Sequence, residues 1–120
     1  MNTKKIGDFG EQFAQKFFED RGYVLIEKNF RTRYGEIDLI LENEEYLLFV
    51  EVKTRKNAKF AQAYEAVDRR KMEKIRQTAE IWLSEQDRGK QPRFDVLEVY
   101  VSLDGQQSVP EIIHWEDAFS

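Results

Sequence analysis

The sequence predicts an α/β sandwich, a mixed central sheet with helices covering both faces. Two long segments carry apolar residues at three- and four-residue spacing, the mark of amphipathic helices. Three strand-like runs follow one another between them, and consecutive strands usually pair as neighbours. A fourth run lies beyond the second helix, and a helical crossover is the ordinary link between parallel strands. The order is αβββαβ plus a terminal strand, which layers as helix, sheet and helix.

The first helix is expected from about Thr3 to Arg21. Ile6, Phe9, Phe13, Ala14, Phe17 and Phe18 form its apolar stripe, Thr3 can cap its start, and Gly22 suits a left-handed stop. Gly7 and Gly10 weaken a helix and point to close backbone packing on the sheet. Glu11 falls on the border of the stripe at roughly 100° per residue, where it can reach a site on the sheet. Tyr23 to Asn29 is the first strand, and a basic connection with Arg31 and Arg33 follows it. Strands two and three lie within Tyr34 to Arg55. Ala61 to Glu85 reads as the second helix, with Met72, Ile75, Ala79, Trp82 and Leu83 on one side and Asp68 as an internal cap. Arg93 to Val101 is the fourth strand. Asp104-Gly105 marks a turn before a last strand near Val109 to Trp115, with a short turn or helix at Glu116 to Phe119.

At 120 residues, without repeats, low-complexity stretches or a linker, the chain is expected to be a single domain over residues 1–120. It has no cysteine, hence no disulfide framework and no thiolate zinc site. No apolar leader or spanning run is visible, so a soluble, cytoplasmic protein is expected. The apolar fraction of 41%, 13% aromatic, excludes a disordered chain despite 35% charged residues.

The chemistry concentrates in Tyr34 to Arg55, YGEIDLILENEEYLLFVEVKTR. Successive strand side chains point to opposite faces, so Glu51 and Lys53 share one face while Leu48, Val50 and Val52 take the other. Charges inside so apolar a run are costly to bury without a metal, a substrate or a mutual ion pair. If strands two and three form a hairpin, Asp38 joins the face of Glu51 only when the loop holds an even number of residues. A two-residue loop at Glu44-Glu45, or a four-residue loop from Asn43 to Tyr46, sets Asp38 opposite Glu51. Two carboxylates so placed repel unless a cation lies between them, and hard oxygen donors suit Mg²⁺ or Mn²⁺.

The net charge of −4 is unevenly spread. Lys53 to Arg76 carries nine basic residues against three acidic ones, a segment of +6 against −10 for the remainder. A basic surface beginning at the carboxylate–lysine strand is what binding to a phosphate backbone needs. Arg55, Lys56, Lys71 and Lys74 are the candidate contacts. Bland roles are expected elsewhere: packing or capping for His114, core positions for Trp82 and Trp115, and an ion pair with Arg93 or a helix lysine for Asp95.

Gly10-Glu11, Gly35-Glu36-Ile37-Asp38-Leu39-Ile40 and Phe49-Val50-Glu51-Val52-Lys53-Thr54-Arg55, with Glu65-Ala66-Val67, Lys71 and Arg93-Phe94-Asp95, resemble the bacterial YraN family. That family is similar to archaeal Holliday-junction resolvases of the PD-(D/E)XK superfamily, and the element order matches the restriction-endonuclease-like core. The resemblance implies that Asp38 and Glu51 are acidic metal ligands, Lys53 the catalytic lysine, and Glu11 the additional helix glutamate of resolvase-like members. It implies Mg²⁺ or Mn²⁺ as cofactor, DNA as partner and, since resolvase-like relatives work as dimers, a homodimer. Two departures stand out. Ile37 replaces the proline of the superfamily's name, and Phe60-Ala61-Gln62-Ala63-Tyr64 stands where the family usually has a glycine and a proline.

The expected function is therefore nucleic-acid binding at a nuclease-like site, with metal-dependent phosphodiester hydrolysis on structured or branched DNA. The alternatives are a non-catalytic DNA- or RNA-binding module of the same fold, and a structural or partner-binding protein whose Asp38, Glu51 and Lys53 form only an ion-pair network.

Overall fold

The computed structural model describes residues 3–55, 69–86, 88–101 and 110–119. In chain order the elements are α1 (Thr3–Glu19), β1 (Val24–Arg31), β2 (Glu36–Glu42), β3 (Tyr46–Arg55), α2 (Arg69–Glu85), β4 (Gln91–Tyr100) and β5 (Glu111–Phe119). One five-stranded sheet runs in sequence order, β1-β2-β3-β4-β5. Only β3 and β4 pair in parallel, across the α2 crossover. The other neighbours are antiparallel, so the sheet is mixed.

The two helices cover opposite faces because the strands alternate. Leu48 and Val50 of β3 pack with Leu39, Leu41, Leu97 and Val99 against Ala14 and Phe18 of α1. Leu47 and Phe49 turn the other way and pack with Ile37, Ile40, Val96 and Phe119 against Ile75, Ala79 and Trp82 of α2. Each fully buried Val, Leu, Ile or Phe contributes about 1.5–3 kcal/mol of transfer free energy. A Schellman stop ends α1: the Tyr23 N–H reaches the Phe18 carbonyl at 3.1 Å and the Gly22 N–H reaches Glu19 at 3.0 Å, with Gly22 at φ 93°.

A polar cluster sits on the α1 face. Arg93 donates twice to Asp95, at 2.9 Å each; His114 Nε2 is 2.7 Å from the same carboxylate, and the Asp117 N–H donates to it at 3.0 Å. Burial opposes the charge on Asp95, but the bonds to His114 and Arg93 outweigh it and hold that carboxyl below its usual range. The His114 ring stands edge-on to Phe17 and Phe18, so its role here is packing and hydrogen bonding to Asp95.

Two expectations need correction at the C-terminal end. Glu116 to Phe119 is neither a turn nor a helix. β5 runs through Phe119, whose partner is Phe94, and the local irregularity is a bulge opposite Asp95, with Asp117 at φ 53°. Trp115 is 42% exposed rather than core, because β5 is an edge strand, and its indole N–H reaches Glu98 at 2.8 Å. Trp82 is fully buried. Residues 61–68 of the expected second helix, its cap Asp68 and the Asp104-Gly105 turn lie outside the described residues.

At Gly10, α1 packs tightly on β3. A Cβ there would stand 1.9 Å from Thr54 Oγ1 and 3.1 Å from Thr54 Cβ. Gly10→Ala should therefore destabilise the fold by about 1–2 kcal/mol, overpacking outweighing the gain in helix propensity. The same substitution in a Thr54→Ala background should be close to neutral. Thermal unfolding of the four proteins checks this, and equal losses in both backgrounds would contradict the contact.

Candidate functional site

The turn between β2 and β3 sets the geometry of the site. Glu44 and Glu45 form it, with the Asn43 N–H donating to the Tyr46 carbonyl at 3.0 Å. Asn43 Oδ1 accepts from the backbone of Glu45 and Tyr46 and fixes the turn. From this even loop the register runs Glu42↔Leu47, Leu41↔Leu48, Ile40↔Phe49 and Leu39↔Val50. Continued one step it would set Asp38 against Glu51, but the paired register ends at Leu39↔Val50.

There the regular pattern breaks. Ile37 and Ile40, three residues apart, both belong to the α2-side core, while Leu39 belongs to the α1 side. Alternation is thus interrupted at Asp38. In the neighbouring strand Phe30 pairs with Ile37, and Lys28 pairs with Leu39. The residue between them, Asn29, is left-handed at φ 54°. Asp38 turns across to β3, where its Oδ2 accepts the Val52 N–H at 2.8 Å, so a side chain replaces a rung of the ladder.

Glu51 is held from two elements. It shares the α2 face with Phe49, and its side chain is 10% exposed. Lys71 of α2 stands 2.7 Å from its Oε1, and Lys53 of the same strand 3.3 Å from that oxygen. The two ammonium groups differ. Burial and the neighbouring Lys71 push the Lys53 pKa down. For Lys71 burial works in the same direction, but the bond to Glu51 outweighs it and raises the pKa.

Two further carboxylates approach from the β1–β2 side. In the orientation that satisfies its amide, Asn29 donates to both Glu11 and Glu36 at 3.2 Å, linking α1 to β2. Arg31 pairs with Glu36 at 3.2 Å. Burial, then the charges of Glu36 and Asp8, raise the Glu11 pKa against the Asn29 bond. Asp38 feels all of this. Burial, then Glu51, Glu11 and Glu36, push its pKa up to about 7, although the Val52 N–H opposes the shift.

Asp38 thus lies within electrostatic reach of Glu51, Glu11 and Glu36, and Lys53 and Lys71 meet at Glu51. Lys74, one turn along α2, is exposed, and its Cβ lies under Gly35 at the tip of the β1–β2 hairpin. Arg55 is half-buried at the end of β3, and its Nε is buried without a hydrogen-bond partner among the described residues. Lys56 lies outside them. Among the described residues no three Asp, Glu or His side chains form a ready-made metal cage. No helix among them is long and apolar enough to cross a membrane.

Sequence reasoning missed two participants. Asn29 looks like an ordinary strand end, and only its left-handed backbone signals the bridge it makes. Glu98, a fully buried carboxylate, is paired in register with Lys53 and accepts from Tyr100 and Trp115. Its signal was a glutamate inside the apolar run Val96 to Val101.

The raised pKa of Asp38 has a sign that can be measured. Above the ordinary 3.8 and up to about 7, the folded protein binds this proton more tightly than the unfolded chain does. The associated stability is present below about pH 4 and is lost as pH rises through about 7. Asp38→Asn keeps an acceptor for the Val52 N–H and removes the charge. Without divalent ions, the variant should match wild type near pH 4 and exceed it near pH 8 in thermal unfolding. A variant no more stable at pH 8 would contradict the crowding of negative charge at Asp38.

Residues 10–99 match the family model described as "Uncharacterised protein family UPF0102". A relative in Dictyoglomus turgidum is 39% identical over 97% of this chain and 95% of its own. One in Caldicellulosiruptor bescii is 41% identical over 99% and 100%, and one in Vibrio campbellii 43% over 85% and 86%. Each is named only as a UPF0102 protein. The chain belongs to the UPF0102 family, the YraN family that its motifs resemble.

Proposed function

We propose that this protein binds nucleic acid and hydrolyses phosphodiester bonds in structured or branched DNA with the help of Mg²⁺ or Mn²⁺. The observation that carries this is the crowding of Asp38 by Glu51, Glu11 and Glu36, beside two lysines. Lys53, Lys71 and Arg31 offset part of the repulsion among these carboxylates, and a carboxylate still left with a raised pKa beside them marks a candidate functional site.

The donor set fits a hard divalent ion, since its donors are carboxylate oxygens. Asp38, Glu51 and Glu11 would hold it; bound there, it would supply an activated water and neutralise charge growing on the phosphate. Lys53, its proton loosened by burial and by Lys71, would orient that water or stabilise the pentavalent phosphorus. Arg55, Lys56, Lys71 and Lys74 would bind the phosphate backbone and set its position. Hydrolysis joins the water oxygen to phosphorus, breaks one P–O ester bond, and leaves the departing oxygen with a proton.

A non-catalytic DNA- or RNA-binding module has one observation in its favour. Glu51 is already paired with two lysines, and the described residues hold no ready-made metal cage. Its mark would be salt-sensitive binding lost on neutralising Lys71 and Lys74 yet indifferent to Mg²⁺ and to Asp38.

Cleavage of junction, flap and duplex DNA with Mg²⁺ or Mn²⁺ separates the two. Wild type should cut at least one of these substrates, and Asp38→Ala and Lys53→Ala should each lose on the order of a hundredfold or more. Equal residual activity in all three proteins would eliminate catalysis at this site.

A further inference from the structure

Glu51 is a nearly buried carboxylate that needs a cation, and two lysines compete to be that cation. They are not equivalent. Lys53 lies two residues along the same strand, with its side chain 22% exposed and at the longer distance, 3.3 Å. Lys71 reaches in from α2 to 2.7 Å, and its side chain is 39% exposed. It therefore holds Glu51 more closely and has the more open path away from it. A divalent ion on Glu51 would face both ammonium groups, and like-charge repulsion would favour the departure of one.

We propose that Lys71 shares Glu51 with the divalent ion: it is the counter-cation of that carboxylate when the ion is absent, and a ligand of the substrate's phosphate when the ion is present. This rests on the metal-dependent site proposed above and adds an ordered exchange to it. Lys71 is then a positioning residue that keeps the buried carboxylate paired until the ion arrives. It also explains why the described carboxylates form no ready-made cage: the position a cation would hold at Glu51 is held by an ammonium group of the protein itself.

The exchange has a measurable signature. Lys71→Met keeps the length of the side chain and removes its charge, so the ion no longer has to displace it. Titration calorimetry of the full chain with Mn²⁺ should show binding tightened on the order of tenfold, a conservative fraction of the Coulomb interaction released. Lys71→Arg and Lys74→Met should stay within about twofold of wild type. The first keeps the competitor, and the second removes a charge one turn away that does not pair with Glu51. A second readout is nucleic-acid affinity against salt. With Ca²⁺ present Lys71→Met should lose about one phosphate contact, a change of roughly 0.9 in the logarithmic slope on duplex DNA, and without it the slope should be unchanged. Thermal unfolding of each variant controls for folding. Mn²⁺ binding by wild type and Lys71→Met with equal affinity would overturn the exchange and leave the metal site standing. No Mn²⁺ binding by any of the four proteins would remove the metal site, and the exchange with it.

Discussion

Burial of like charges is the constraint on which the rest of this molecule depends. Asp38 is half-buried near Glu51, Glu11 and Glu36, and its pKa rises through burial first and those charges second. Three separate devices tolerate that arrangement. The Val52 N–H stabilises the Asp38 carboxylate, Lys71 and Lys53 pair with Glu51, and the Asn29 amide lies between Glu11 and Glu36. The first comes from β3, the second from β3 and α2, and the third from β1; with Asp38 and Glu36 on β2 and Glu11 on α1, the site draws on five elements.

The two faces of the sheet divide the labour. On the α1 face the polar residues are mutually satisfied: Arg93, Asp95 and His114 close on one another, and Phe17 and Phe18 cover the imidazole. A network so complete locks β4 to β5 and leaves little chemistry to perform. On the α2 face Glu51 and Lys53 follow directly on the apolar Leu47 and Phe49, at the end where the β2–β3 ladder stops. Gly10 brings α1 onto Thr54 at the same end of β3, which places the next helix residue, Glu11, beside that opening.

Much of this was legible in the sequence because it follows from local periodicity. The assignment of Glu51 and Lys53 to one face and of Leu48, Val50 and Val52 to the other needs only strand alternation, and the packing of Leu48, Val50 and Val52 agrees with it. The sequence allows a two-residue loop at Glu44-Glu45 or a four-residue loop from Asn43 to Tyr46, both of the same register, and the structure adopts the first. What could not be read depends on contacts between distant segments. The break in alternation at Asp38 arises where a neighbouring strand adopts a left-handed residue and a side chain takes over a backbone bond. The hold of Lys71 on Glu51 joins residues twenty positions apart across the crossover, and no periodicity encodes it. The last strand is legible as far as Trp115, but Glu116 to Phe119 reads as a turn or helix because the bulge opposite Asp95 is stabilised by that carboxylate, on another strand.

The irregularities at the two rims of the sheet have a consequence for self-association. β1 carries a register shift between Leu25 and Glu27 and the left-handed Asn29, while β5 carries the bulge around Asp117. A kinked rim offers an incoming strand an interrupted row of amide and carbonyl groups. Continuous cross-β stacking of molecules edge to edge is thereby disfavoured, and the exposed Ile113 and Trp115 of β5 sit on a strand that resists being templated into a fibre.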